Sequence, residues 1–232
     1  MPFLFSSDYL IYILPAMFIM LATQWYVKST YSRWGQVPTR NHMSGAEAAQ
    51  RLIQRNALYD VTIEGVQGNL TDHYDPRKKV LRLSPGVYQG TSVASLAVAA
   101  HELGHAMQDK EGYAPLRFRA ALVPAVNIGS MLGWVFILIG MFLRLTPLAW
   151  LGVVVFALGA VFALATLPVE LNASSRAREM LLASGIIVGD DEKRGVRSVL
   201  NAAALTYVAA LITSLLQVFY YVSLVTGMGR RR

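Results

Sequence analysis

Four stretches of this chain are almost unbroken runs of apolar residues, and shorter polar segments fill the gaps. The runs are YLIYILPAMFIMLATQWYV (9–27), ALVPAVNIGSMLGWVFILIGMFL (121–143), PLAWLGVVVFALGAVFALATLPV (147–169) and AAALTYVAALITSLLQVFYYVSLVTGMG (202–229). A helix of about 20 apolar residues crosses a hydrocarbon core, so each run predicts a transmembrane helix. The first has no small-residue cleavage site and is longer than a signal-peptide core, so it reads as a retained anchor. Residues 144–146 alone separate the second and third, which predicts a tight helical hairpin.

The polar segments show other periods. SGAEAAQRLIQRNAL carries Ser44 and Glu47 at capping-box spacing. Its apolar positions Ala46, Ala49, Ile53 and Ala57 recur with a helical period. DVTIEGV and NLTDHY alternate as strands do, DPRKK is a turn signal, and VLRLS pairs back as the second strand of a hairpin. SVASLAVAAHELGHAMQ (92–108) predicts a helix capped by Thr91. No internal repeat or low-complexity linker is present. The fold class is therefore a mainly α integral membrane protein with about four transmembrane helices and a small α+β polar region. Its divisions are an anchor (1–27), a polar region (28–119), a membrane hairpin (120–169), a second polar segment (170–201), and a last span with a basic tail (202–232).

Composition agrees with the membrane reading. The chain is 54% hydrophobic and 15% charged, against roughly 25% charged for soluble domains. It has no cysteine, which excludes disulfides, thiolate metal sites and cysteine nucleophiles. The net charge of +7 fits basic flanks of membrane helices better than a nucleic-acid partner. Twelve Lys and Arg fall in 28–119 and five in 170–201, whereas the hairpin turn has Arg144 and the tail Arg230 to Arg232. The positive-inside rule puts both polar segments in the cytoplasm and both termini outside, with the basic tail opposing it locally.

Chemistry concentrates in AVAAHELGHAMQD (97–109), which holds two of the four histidines. His101 and His105 sit one helical turn apart on one face and can offer two imidazoles to a tetrahedral zinc ion. Glu102 points about 100° away from His101, where it can address a water as general base, the H-E-x-x-H arrangement. The alternative is a pair of solvated histidines. The helix is rich in alanine, and Ala94, Ala97 and Gly104 let another helix approach closely, which favours the metal site. Candidate third ligands are His42, His73, Glu170, Glu179 and scattered aspartates. Glu170 is preferred: Ala173, Ser174 and Ala177 follow it at helical spacing, and it lies where the third span ends, on the same side as His101.

LTDHYDPRKKVLRLSPGVYQGTSVASLAVAAHELGHAMQ and LPVELNASSRA resemble the YugP-like membrane zinc metallopeptidases of bacteria and, more distantly, HtpX-type and CAAX-protease gluzincins. The resemblance covers nearly the whole chain. It implies a zincin-like region over 28–119 and a neutral zinc peptidase, with His101, His105 and Glu170 as metal ligands and Glu102 as catalytic base. In the HtpX-type pattern an aspartate follows the ligand glutamate by four residues; here that position is Ser174. The residue that orients a ligand histidine would then be Asn172, Ser174 or neither, with Arg176 beside them.

Weaker signals surround this core. The 69–84 hairpin could present an edge strand to an extended peptide or simply cover the histidine helix. His73 and Tyr74 could donate to an oxyanion. Arg176 and Arg178 could reach a substrate carbonyl, or could be ordinary positive flanks. GSMLG has close-contact spacing. The expected function is a multi-pass membrane zinc endopeptidase, its site facing the cytoplasm, that cuts membrane or membrane-proximal polypeptides, alone, as a homo-oligomer or within a quality-control assembly. The competing readings are a non-catalytic adaptor or scaffold that keeps a structural zinc, and a transporter. No span carries an internal pair of charges, which weighs against the transporter.

Overall fold

A computed structural model describes residues 7–229; the start of the predicted anchor and the tail Arg230–Arg232 lie outside the described residues. Eight helices and three short strands follow in the order α1 (Ser7–Gly35), α2 (Gly45–Arg55), β1 (Thr62–Gly65), β2 (His73–Asp75), β3 (Val80–Leu83), α3 (Pro85–Tyr88), α4 (Val93–Lys110), α5 (Ala114–Phe142), α6 (Thr146–Phe156), α7 (Leu158–Ala183) and α8 (Asp190–Gly229). Among the described residues, four helical stretches are long and apolar enough to cross a membrane: Tyr9–Gly35, Ala114–Phe142, Thr146–Ala183 and Asp190–Gly227.

All four overrun the apolar runs that predict them. Hydropathy marks where the surroundings change, whereas a helix ends where its hydrogen bonds do. The segment beginning at Glu170 is thus a continuation of α7, and α8 starts at Asp190, well before the apolar run at 202. The third run is also broken, into α6 and α7 at Ala157.

The chain divides into two compact units. One holds the residues through Gln24, Arg117–Pro168 and those from Thr206. Within it α5 and α6 pack through glycine: a Cβ on Gly133 would stand 2.8 Å from Phe156 N, and one on Gly152 2.6 Å from Ile137 N. This is the close contact expected of GSMLG.

The other unit holds Trp25–Leu116 and Val169–Leu205. The capping box of α2 forms, with Ser44 N donating to Glu47 Oε2 (2.7 Å) and Glu47 N to Ser44 Oγ (3.2 Å). The buried face of α2 is Gly45, Ala48, Ala49, Leu52 and Ile53. Ala46 is only half-buried, and Ala57 lies past the helix end with φ 51°. The sheet order is β1-β3-β2, with β1 parallel and β2 antiparallel to β3. The predicted hairpin is present and β2 is an edge strand. Helix α4 is capped by Ser92, whose Oγ accepts from Ser95 N (3.1 Å), and not by Thr91. Thr91 is held elsewhere, its carbonyl accepting from Thr39 N (2.9 Å) and Oγ1 (3.1 Å). Leu96, Ala97, Ala100 and Leu103 of α4 are fully buried among residues of α2, the sheet, α7 and α8.

Candidate metal centre

Helical spacing on α4 brings the His101 and His105 rings together, centroids 4.9 Å apart at 84°. Glu170 of α7 faces both. Its Oε2 lies 3.2 Å from His101 Nε2 and 3.5 Å from His105 Nε2, and the residue is 2% exposed. The approach rests on small residues. Ala173 and Ala177 are fully buried, and a Cβ on Gly104 would collide with the Ala173 carbonyl. Ligand atoms of His101, His105 and Glu170 all fall within 4.8 Å of one another. Two imidazoles and one carboxylate turned toward one point suit zinc, which takes such ligands tetrahedrally and leaves a fourth position open. Of the candidate third ligands, Glu170 alone is brought to the pair among the described residues; His42, His73 and Glu179 are not in the cluster.

A second layer of hydrogen bonds aims the rings. Gln108, fully buried, donates through Nε2 to Val169 O (2.7 Å) and Asn172 Oδ1 (3.0 Å). With acceptors on that side, its carbonyl oxygen must face His105 Nδ1, 3.0 Å away. In the neutral ring Nδ1 then carries the proton, and the lone pair of Nε2 faces the cluster. Asn172 Oδ1 also accepts from Arg176 Nε (2.7 Å), and Arg176 forms a fork with Glu111 (2.8 and 2.7 Å). Ser174 Oγ lies 3.2 Å from His101 Nδ1. Ser174 therefore touches a ligand-type histidine directly, while Asn172 and Arg176 stand behind Gln108. Gln108 is the residue that the sequence reading passed over. Its one signal was a polar side chain three positions after His105 in an alanine-rich helix.

Glu102 lies against the sheet, its Oε2 accepting from Tyr74 N of β2 (3.1 Å). Burial pushes its carboxyl above the ordinary range, with His101 and His105 pulling the other way. Burial presses His105 toward neutrality, but the carboxylates of Glu170 and Glu102 outweigh it and raise its pKa. The Tyr74 hydroxyl donates to Asp109 Oδ2 (3.0 Å), which also receives Lys79 Nζ (2.6 Å). Burial first, and then Asp109, raise that phenol. His73 is exposed; its Nδ1 is 2.8 Å from Thr71 O and its Nε2 3.4 Å from an Arg82 guanidinium nitrogen.

Residues 9–226 match a family described as "Putative neutral zinc metallopeptidase". A curated relative from Bacillus subtilis (strain 168), "Putative membrane protease YugP", is 45% identical over 199 residues, covering 86% of this chain and 88% of its own. No solved structure matches.

Proposed function

The chain belongs to the neutral zinc metallopeptidase family, and from that premise we propose that it is a membrane-embedded H-E-x-x-H endopeptidase of gluzincin type. The observation that carries the reading is the convergence of His101, His105 and Glu170 beside Glu102 and an edge strand. His101, His105 and Glu170 would hold the zinc. Zinc bound there supplies a Lewis acid that polarises a scissile carbonyl and acidifies water.

The chain's own groups do the rest. Glu102 takes a proton from the attacking water and returns it to the leaving amine nitrogen. The Tyr74 N–H holds one Glu102 oxygen and leaves the other to exchange that proton. An extended substrate lies along the outer edge of β2 beside Glu102, pairing with backbone groups other than the Tyr74 N–H, which Glu102 occupies, and without demanding a particular sequence. His73 would stabilise the oxyanion after giving up Thr71 and Arg82. The Tyr74 phenol is committed to Asp109 and is not available for that role. Gln108 and Ser174 fix the two imidazoles, and Asn172 with Arg176 fixes Gln108.

The distribution of Lys and Arg supports a cytoplasmic site, within reach of membrane or membrane-proximal polypeptides. Zinc content of detergent-purified protein is the first test, because it does not depend on guessing a substrate. About one zinc per chain in wild type and almost none in His101→Ala supports the site. An absence of zinc from wild type after zinc is supplied would remove the peptidase reading.

A further inference from the structure

A cavity of about 710 Å³ lies among α1, α5 and α8, wholly inside the unit of membrane helices and apart from the histidine cluster. Tyr9, Tyr12, Ile13, Ala16 and Met20 recur along α1 at helical spacing and turn toward it, while Ile11 and Phe18 face outward at 65% and 72% exposure. Among the described residues no Asp, Glu, Lys, Arg or His lines it.

Its polar side chains are neutral, and two of them are joined. Trp134 Nε1 donates to Tyr221 Oη (2.7 Å), and Gln217 lines the cavity one helical turn before the same phenol. Tyr220 packs against Tyr221 (5.4 Å between centroids), edge-on against Tyr9 (5.3 Å, 72°), and tilted against Tyr12 (6.2 Å). A carboxamide has two donor hydrogens and an acceptor oxygen, more than one phenol uses. The remaining wall is aliphatic, including Ile13, Ala16, Ile137 and Leu138.

These features select an occupant. At membrane depth the cavity meets hydrocarbon and not water, and a charged group without a counter-ion there is costly. A purely aliphatic chain would leave the spare hydrogen-bonding capacity of Gln217 unmet, which costs free energy in an apolar medium. The size falls in the range of about 300–1,000 Å³ typical of small-molecule sites, which pair apolar walls with a few converging polar groups. Among the lining residues Trp134, Met17 and Leu138 are between 46% and 52% exposed, so the cavity is accessible from outside the helices.

We propose that this cavity binds an uncharged amphiphile of the bilayer, its hydroxyl or carbonyl head against Gln217 and Tyr221 and its hydrocarbon tail along Ile13, Ala16 and Ile137. The site is independent of the peptidase reading and stands or falls without it.

The test uses full-length, delipidated protein in mild detergent and a monoacylglycerol with a brominated acyl chain, which quenches nearby tryptophan. Fatty-acid anion and lysophosphatidylcholine carrying the same brominated chain are the comparisons. Saturable quenching by the neutral probe is expected, and its saturable part should vanish in Trp134→Phe. Gln217→Leu should weaken the neutral probe about fivefold, the loss of one net hydrogen bond, and leave a headless bromoalkane unchanged. Ala16→Phe, which fills the cavity without touching the polar cluster, should abolish saturable binding of every probe. Equal quenching by all three headgroups, or apparent affinities unmoved by both substitutions, would overturn the proposal. So would disulfide crosslinking between two copies at Met17→Cys whose yield the probe does not lower, since a second chain would then fill the space.

Discussion

Gly104 of α4 and Ala173 of α7 meet backbone to backbone, so closely that a Cβ on Gly104 has no room beside the Ala173 carbonyl. Glu170 lies just under one turn before Ala173, so this contact sets how near its carboxylate comes to His101 and His105. Gly104→Ala separates two opposed effects. Helix propensity alone would stabilise α4 by about 1 kcal/mol, whereas overpacking costs about 1–3 kcal/mol. Steric exclusion should win, lowering the melting temperature and weakening zinc binding together. A variant with a higher melting temperature and unchanged zinc affinity would show that the contact does not position Glu170.

Gln108→Leu should weaken zinc binding by about 10–100-fold, the usual loss when a hydrogen bond behind a ligand histidine is removed. Leucine keeps most of the volume but gives His105 Nδ1 nothing to donate to, and it takes one donor from Val169 O and from Asn172 Oδ1, which keeps Arg176 Nε. Competition with a chelator of known affinity measures the effect. An unchanged zinc dissociation constant would mean that the imidazole needs no such support.

The membrane helices, the Ser44–Glu47 capping box and the helix that carries His101 and His105 were legible because each depends on residues close in sequence. Hydropathy could not find where α7 ends, since Glu170 changes the solvent preference of the chain but not its backbone pattern. The break at Ala157 was hidden for a related reason: its neighbours Leu158, Gly159 and Ala160 are all apolar, and a one-residue interruption among them leaves no polar mark. Thr91 and Ser92 are adjacent hydroxyl residues, and the choice of cap was decided by Thr39, which lies 52 residues from Thr91. Gln108 was illegible for the same cause. Its orienting partners Val169 and Asn172 are 61 and 64 residues away.

Glu102→Gln should retain zinc and lose about 10²–10⁴-fold in peptide hydrolysis, the range of a general base. The amide oxygen can still accept from Tyr74 N, so the local structure keeps its contact with β2. The pairing of full metal content with lost turnover is what distinguishes a base from a ligand. Hydrolysis within a few-fold of wild type would assign the proton transfer to another group.

Glu170→Gln tests the third ligand through stability and needs no substrate. In the wild-type chain a carboxylate 2% exposed faces two imidazoles. A ligand that binds only the folded chain stabilises it by about 2.7 kcal/mol at a free concentration a hundredfold above its dissociation constant, so chelation should lower the wild-type melting temperature and zinc should restore it. Glutamine keeps the shape and removes the charge that favours protonated His105, so the metal-free variant should unfold somewhat below the metal-free wild type at neutral pH, and the readout is the zinc-induced shift of each. Added zinc should then raise its melting temperature far less, because two imidazoles alone hold the ion weakly. A zinc-induced shift equal to that of wild type would exclude Glu170 as a ligand and leave the buried carboxylate as a partner of the histidines themselves.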